Sequence, residues 1–187
     1  TVKMNKAELR KVLIQTRRSL PQIEWQQRSQ KICDQLVRSQ LFQDSNTILS
    51  YCSFRQEPNL ESLLTLPAKT WGLPRCIDQT LVWHQWTSEG LPLQIGAFGI
   101  REPHPDSPAI APEQVDLILV PCVACDLQGY RLGYGGGFYD RLFSSSIWKN
   151  KPAIGIVFEF ALLKQLEIDH WDQPLSAVCT EEKIIYL

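Results

Sequence analysis

No stretch of this sequence stays apolar for more than four residues, as in Leu117-Ile118-Leu119-Val120. A membrane-spanning helix needs about 20 such residues, so a spanning segment is not expected. The N-terminal region is charged and lacks the apolar centre of a signal peptide, so no secretory leader is read and the cytoplasm is the expected address. The three histidines (His84, His104 and His170) form no ligand pair, and no Ser/His/Asp or Cys/His nucleophile set stands out. Disulfides are not expected either. The six cysteines (Cys33, Cys52, Cys76, Cys122, Cys125, Cys179) mostly sit inside apolar stretches, which suits buried free thiols. Cys122 and Cys125 make one C-x-x-C, but no further zinc ligands stand at suitable spacing, and the flanks read as a strand end.

What is present is ordinary globular material: 187 residues, 44% hydrophobic and 21% charged. That length suits one domain with its own core, here taken as residues 1–187. The net charge is only −1 but is unevenly placed. Residues 1–40 carry nine Lys or Arg against three acids, a net of +6, which leaves −7 for the remainder. A solvated helical face explains this, and so does a basic end that meets an anionic ligand. DNA is not expected, because no helix-turn-helix spacing or Arg-rich recognition run is present.

Asn5-Lys6-Ala7-Glu8 reads as a capping box opening a helix with Leu9, Val12, Leu13 and Thr16 inward. Pro21 fits the first position of a second helix, with Trp25, Ile32, Leu36 and Val37 on its apolar face. The pattern then turns to strands at 47–54, 71–77, 81–86, 117–120, 153–158 and 183–187, with helices at 60–66, 139–145 and 160–166. Alternating strands and helices predict an α/β sheet with helices on its faces. The stretch from Gly90 to Pro112 reads as a long loop.

The most informative run is Arg131-Leu132-Gly133-Tyr134-Gly135-Gly136-Gly137-Phe138-Tyr139-Asp140-Arg141. Four of the ten glycines fall within 133–137. Each glycine costs a rigid element roughly 0.5–1 kcal/mol relative to alanine, so such a cluster needs a reason. A plain strand-to-helix turn needs one or two. Four suit backbone amides that must approach a phosphate closely. The spacing matches neither G-x-x-x-x-G-K-[ST] nor G-x-G-x-x-G. Asp140, in the first helical turn, has two equal readings: it favours the helix dipole, or it holds Mg²⁺ against bound phosphates. Lys6 and Arg10 share a helix face, where like charges repel unless an anion lies between them.

Together, Lys6-x-x-x-Arg10, Pro74-Arg75, Phe98-Gly99-Ile100-x-Glu102-Pro103 and the run from Arg131 to Arg141 resemble the 5-formyltetrahydrofolate cyclo-ligase (5,10-methenyltetrahydrofolate synthetase) family, in order from Lys6 to Glu181. The resemblance implies an α/β three-layer sandwich with a mostly parallel central sheet flanked by helices, similar to sugar-phosphate isomerases and CoA transferases. It implies ATP- and Mg²⁺-dependent conversion of 5-formyltetrahydrofolate to 5,10-methenyltetrahydrofolate with release of ADP and phosphate. By position, Lys6, Arg10 and the loop Arg131, Leu132, Gly133, Tyr134, Gly135, Gly136, Gly137, Phe138 and Tyr139 would contact nucleotide phosphates. Asp140 would be the magnesium ligand, and Arg131, Tyr139 and Asp140 would be the catalytic set. Glu57 matches the family's folate-binding glutamate, and Cys52 and Phe98 match positions lining the pterin pocket. Without the resemblance, Glu57 is a solvated loop charge and Phe98 a core residue.

One departure from the family pattern stands out. Where many members read D-x-P-x-D-x-x-x-T-E, this chain has Asp172-Gln173-Pro174-Leu175-Ser176-Ala177-Val178-Cys179-Thr180-Glu181, with Ser176 in place of the second Asp. Asp172 or water would then complete the metal's shell. A monomer is expected, and the basic N-terminal helices would suit the acidic tail of a polyglutamylated folate, a preference the sequence leaves open. A non-catalytic nucleotide- or folate-binding module of the same fold, and an ATP-independent isomerase-like enzyme, are the competing readings.

Overall fold

The computed structural model describes residues 3–187. The chain opens with α1 (Lys6–Arg18), α2 (Gln22–Arg38) and the short α3 (Gln40–Gln43). Then come β1 (Thr47–Leu49), β2 (Thr70–Ile77), β3 (Thr80–Trp86), β4 (Gln94–Ile95), β5 (Arg101–Glu102), β6 (Leu117–Pro121), β7 (Ala124–Asp126) and β8 (Arg131–Leu132). The fold ends with α4 (Phe138–Ser144), β9 (Ala153–Ile156), β10 (Leu162–Leu163), β11 (Ala177–Cys179) and β12 (Ile184–Tyr186).

Seven strands form the main sheet in the order β12-β11-β9-β6-β1-β2-β3. The five inner strands run parallel, and β12 and β3 close the two edges antiparallel. Side chains alternate across a strand, so an inner strand must be apolar on both faces. Strand β6 shows this: Ile118 and Val120 enter one buried cluster, and Leu117 and Leu119 enter the other. A smaller sheet, β10-β7-β8, holds Arg131 and Leu132 in place. Gly155 is small for a reason, since a Cβ there would lie 2.8 Å from the Cys125 sulfur. All six cysteines are free, and only Cys76 is not buried.

The Asn5 cap is as predicted: its side chain accepts from the Glu8 amide at 2.9 Å, and the Glu8 carboxylate accepts from the Asn5 amide. The inward face differs from expectation. Val12 and Thr16 are exposed, and the buried line runs Leu13 to Arg17 with Leu9 packed beside it. Pro21 caps α2 rather than starting it, and Val37 is only partly covered, at 39% exposed, while Ser29 and Cys33 are buried. The expected strand at 47–54 stops at Leu49, where the chain leaves the sheet and runs on to the buried Glu57. Segment 60–66 is a 3₁₀ turn at Glu61–Thr65. Segment 160–166 is no helix: a 3₁₀ turn at Glu159–Ala161 leads into β10, which pairs with β7, so tertiary strand pairing overrides local preference. The long loop from Gly90 carries the two-stranded ribbon β4–β5.

Candidate functional site

Strand order reverses between β1 and β6: later strands fall on one side of β1 up to β3, and on the other from β6 onward. In open α/β sheets, ligands bind beyond the carboxyl ends of the strands at such a reversal, where the two outgoing chains part. From the end of β1 the chain runs through Cys52 to Glu57. From the end of β6 it passes through β7 and β8 into the glycine loop. Glu57 and the glycine loop therefore leave from the two strands that flank the reversal, and they meet: the Tyr134 hydroxyl donates to Glu57 Oε2 at 2.8 Å.

On the loop side, Arg10 of α1 donates from Nε to the Gly133 carbonyl at 2.8 Å. The side-chain directions that glycine leaves open point to guanidinium groups. Around Gly133 the nearest group to a Cβ would be Arg131 Nη1 at 3.6 Å, and around Gly135 it would be Arg10 Cζ at 3.8 Å. Gly135 and Gly137 have φ of +96° and +76°, a left-handed backbone that favours glycine. Gly137 also caps α4, which is only seven residues long, so the positive charge here comes from side chains more than from a helix dipole. Arg131 donates to Asp140 Oδ1 at 2.7 Å; the Asp140 side chain is 73% exposed and that of Arg131 11%. Leu132 is buried and anchors the loop. Burial drives the Tyr139 hydroxyl well above its ordinary range, so it stays protonated and can donate. Phe98 stands 70% exposed at φ +61°, its ring edge-on to Phe138 with centroids 6.1 Å apart.

The Glu57 side differs in character. This carboxylate is only 5% exposed. Its Oε1 accepts from the Phe54 amide at 2.9 Å, and its backbone carbonyl accepts from the Trp25 indole and the Ser53 hydroxyl. Burial pushes its carboxyl up to about 6, partly opposed by the Arg17 charge and the Tyr134 hydrogen bond. Arg55 and Gln56, just before it, both hold positive φ, strain of the kind that clusters at binding sites. Cys52 is buried, and burial pushes its thiol up to about 11, leaving it an apolar wall rather than a nucleophile.

Lys6 lies 3.7 Å from Asp169 and, with Leu9, Arg131, Leu132, Lys164 and Leu166, lines a cavity of about 320 Å³. Arg131 also borders a second cavity of about 330 Å³, together with Asp140, Lys149, Asp172 and Ser176. Among the described residues no group of three His, Cys, Asp or Glu could cage a metal. Ser176 is already used, its hydroxyl accepting from the Ala153 amide at 3.1 Å, and Asp172 accepts from the Asp169 amide. Asp140, a single exposed carboxylate, would be able to hold a Mg²⁺ that keeps most of its waters, and the described residues offer no protein-made cage.

A family model described as the 5-formyltetrahydrofolate cyclo-ligase family matches residues 2–181. The chain belongs to this family. A cyclo-ligase from Mycolicibacterium smegmatis is 31% identical over 96% of this chain and 95% of its own length. One from Haemophilus influenzae is 39% identical over 45% of this chain, and that match spans 46% of the relative, about half its length. Among solved structures, the NMR structure of Aquifex aeolicus 5,10-methenyltetrahydrofolate synthetase overlays with a TM-score of 0.86 at 34% identity, covering 98% of this chain and 93% of that one.

Within this cyclo-ligase fold, sequence reasoning missed two groups. Arg17 is one: a buried arginine on the helix face shared with Leu13, hidden because charge was read as solvated. The other lies at the carboxyl ends of β9 and β11. There Glu181 accepts from Arg28 and from the Glu159 amide, each at 2.6 Å, and the Thr180 hydroxyl donates to Glu159 at 2.5 Å. These bonds tie the Thr-Glu end of the family pattern to α2. The signal is the Thr180-Glu181 pair itself, which the sequence presents only as the end of the family pattern.

Proposed function

We propose that this cyclo-ligase converts 5-formyltetrahydrofolate and ATP into 5,10-methenyltetrahydrofolate, ADP and phosphate. The observation that carries the reading is the contact of Tyr134 with Glu57, which sets a glycine loop facing two guanidinium groups beside a buried carboxylate at the sheet's reversal point. A reaction between two bound substrates needs two such half-sites side by side.

The formyl oxygen attacks the γ-phosphorus of ATP, the bond to the β-phosphate oxygen breaks, and ADP leaves. N10 then attacks the formyl carbon, the carbon–oxygen bond breaks with phosphate as leaving group, and N10 gives up its proton. Phosphorylation is required because oxide does not leave at neutral pH, whereas phosphate does. The protein's task is alignment and charge neutralisation, with no covalent enzyme intermediate. Arg10, Arg131 and the amides of Gly133, Tyr134, Gly135, Gly136, Gly137 and Phe138 bind the phosphates, with Lys6 at the rim. Asp140 would hold Mg²⁺, which supplies charge neutralisation on the phosphates. Tyr139, kept protonated by burial, has an O–H to donate to a phosphate oxygen. Glu57 accepts from pterin N–H groups, Cys52 walls the pocket, and Phe98 stacks on the pterin from the ribbon. The free thiols suit a reducing compartment such as the cytoplasm. The two cores on opposite faces of a parallel sheet support the three-layer arrangement of sugar-phosphate isomerases and CoA transferases.

The test is direct. With ATP, Mg²⁺ and 5-formyltetrahydrofolate, the near-ultraviolet absorbance of the methenyl product rises, and one ADP forms per product. An absent rise overturns the reading, and calorimetric binding of both ligands without product would favour a non-catalytic module.

A further inference from the structure

Arg17 is 4% exposed, yet among the described residues no carboxylate lies within ion-pair distance of it. A buried cation without a counter-charge is costly, so its partner must be reached indirectly. Its Nη2 donates to the Tyr134 hydroxyl at 2.6 Å, and that hydroxyl donates onward to Glu57 Oε2 at 2.8 Å. The hydroxyl thus accepts on one side and donates on the other, and each bond polarises the next. Arg17 Nε also donates to the Arg55 carbonyl at 3.0 Å, pinning the left-handed turn that presents Glu57. The guanidinium lies 5.5 Å from the centre of the Tyr134 ring.

The titratable groups that feel the Glu57 charge are Arg17 from α1, Tyr134 and Tyr139 from the glycine loop and α4, Tyr51, Cys52 and Arg55 from the segment after β1, and Cys122 after β6. Only the two arginines carry formal charge. Arg55 is exposed, with its guanidinium over the Phe54 ring, so solvent screens it. Arg17 is the cation that the interior leaves unscreened.

We propose that Arg17 is a positioning residue for the folate substrate: through Tyr134 and the Arg55 carbonyl it keeps Glu57 ionised and aimed at the pterin. This rests on the reading of Glu57 as the pterin acceptor. It assigns to α1 a second task beyond phosphate binding, two helical turns along the same face from Arg10.

The experiment compares wild type, Arg17→Met, Arg17→Lys and Tyr134→Phe. Carboxyl titration of Glu57 is followed by NMR with ¹³C-labelled glutamate, alongside 5-formyltetrahydrofolate binding and steady-state kinetics. Arg17→Met is expected to raise the Glu57 midpoint by about one pH unit, because an opposing positive charge is lost. The acid limb of kcat/KM for folate moves up with it. The KM for 5-formyltetrahydrofolate rises about tenfold while that for ATP changes less than about twofold. Arg17→Lys, which keeps the charge but not both bonds, restores the titration more fully than the KM. Should Arg17→Met not fold, Tyr134→Phe interrupts the same chain and gives the same direction of shift. An unmoved Glu57 midpoint in folded variants, or parallel rises in both KM values, overturns the proposal. Failure of wild type to make product would overturn the cyclo-ligase reading alone, and the titration and folate binding would still decide the role of Arg17.

Discussion

The two halves of the candidate site are built on opposite principles. The loop half is open: Gly135 and Gly136 are exposed, Asp140 stands mostly in solvent, and the guanidiniums of Arg10 and Arg131 look onto empty glycine positions. The Glu57 half is closed, with a buried carboxylate whose two oxygens are both engaged and whose supporting turn is strained. A triphosphate is multiply charged and well hydrated, so a site for it can be assembled from backbone amides and cations at the surface. A pterin is flat and carries its recognition in N–H groups, so its acceptor must be fixed and dry beforehand. On the proposed assignment, stability is spent around Glu57 and saved at the glycine loop.

That contrast breaks most visibly if the loop half proves structural. Asp140→Ala is expected to lower kcat/KM for ATP by about 10²–10³-fold. Its side chain is 73% exposed, so the melting temperature should hardly move; parallel losses of activity and stability would erase the distinction. A smaller effect is expected from Glu57→Gln, with the folate KM rising about ten- to a hundredfold and the ATP KM nearly constant. The same variant tests the stability cost. The folded carboxyl titrates at about 6, above the 4.5 of an unperturbed glutamate, so the folded state holds this proton more tightly. The contribution is fully present below 4.5 and is lost as pH rises through about 6, amounting to about 2 kcal/mol. Denaturant unfolding across that window should show the decline in wild type and not in the variant.

Gly135→Ala sharpens the comparison from the other side. Its φ of +96° makes any side chain strained, while the nearest atom at 3.8 Å leaves room for a methyl group. The expected cost is backbone strain of about 1 kcal/mol, with an ATP KM several-fold higher and an unchanged folate KM. Smallest of all is Lys6→Met. Its pairing with Asp169 at 3.7 Å is exposed, so stability should change by less than about 0.5 kcal/mol. The ATP KM should rise about two- to fivefold, and the difference should shrink as salt is added.

Much of the fold was legible in advance. The Asn5 capping box, the strands β2 and β3 and the doubly buried strands β6 and β9 stand where local pattern put them. Strand β11 is not predicted, because in the sequence Ala177 to Cys179 stands out only as part of the family's metal pattern. The Phe160 segment failed for a different reason: four apolar residues suit a helix or a strand equally, and β7 decided between them. At the site, the glycine cluster announced itself through its cost. Glu57 entered only through family resemblance, since nothing local distinguishes a buried acid from a solvated one.

Spacing and composition alone determined that α1 presents Lys6 and Arg10 on one face, that a glycine bend precedes a helix, and that the sheet is buried on both sides. These follow from periodicities and backbone allowances within a few residues. Only the tertiary structure decided that Arg17 turns inward, that Tyr134 lies between it and Glu57, and that Asp140 pairs with Arg131. The charge state and partners of a side chain depend on what burial removes from around it. Here Arg17 and Tyr134 are 117 positions apart in the chain, and no local rule reaches across that distance.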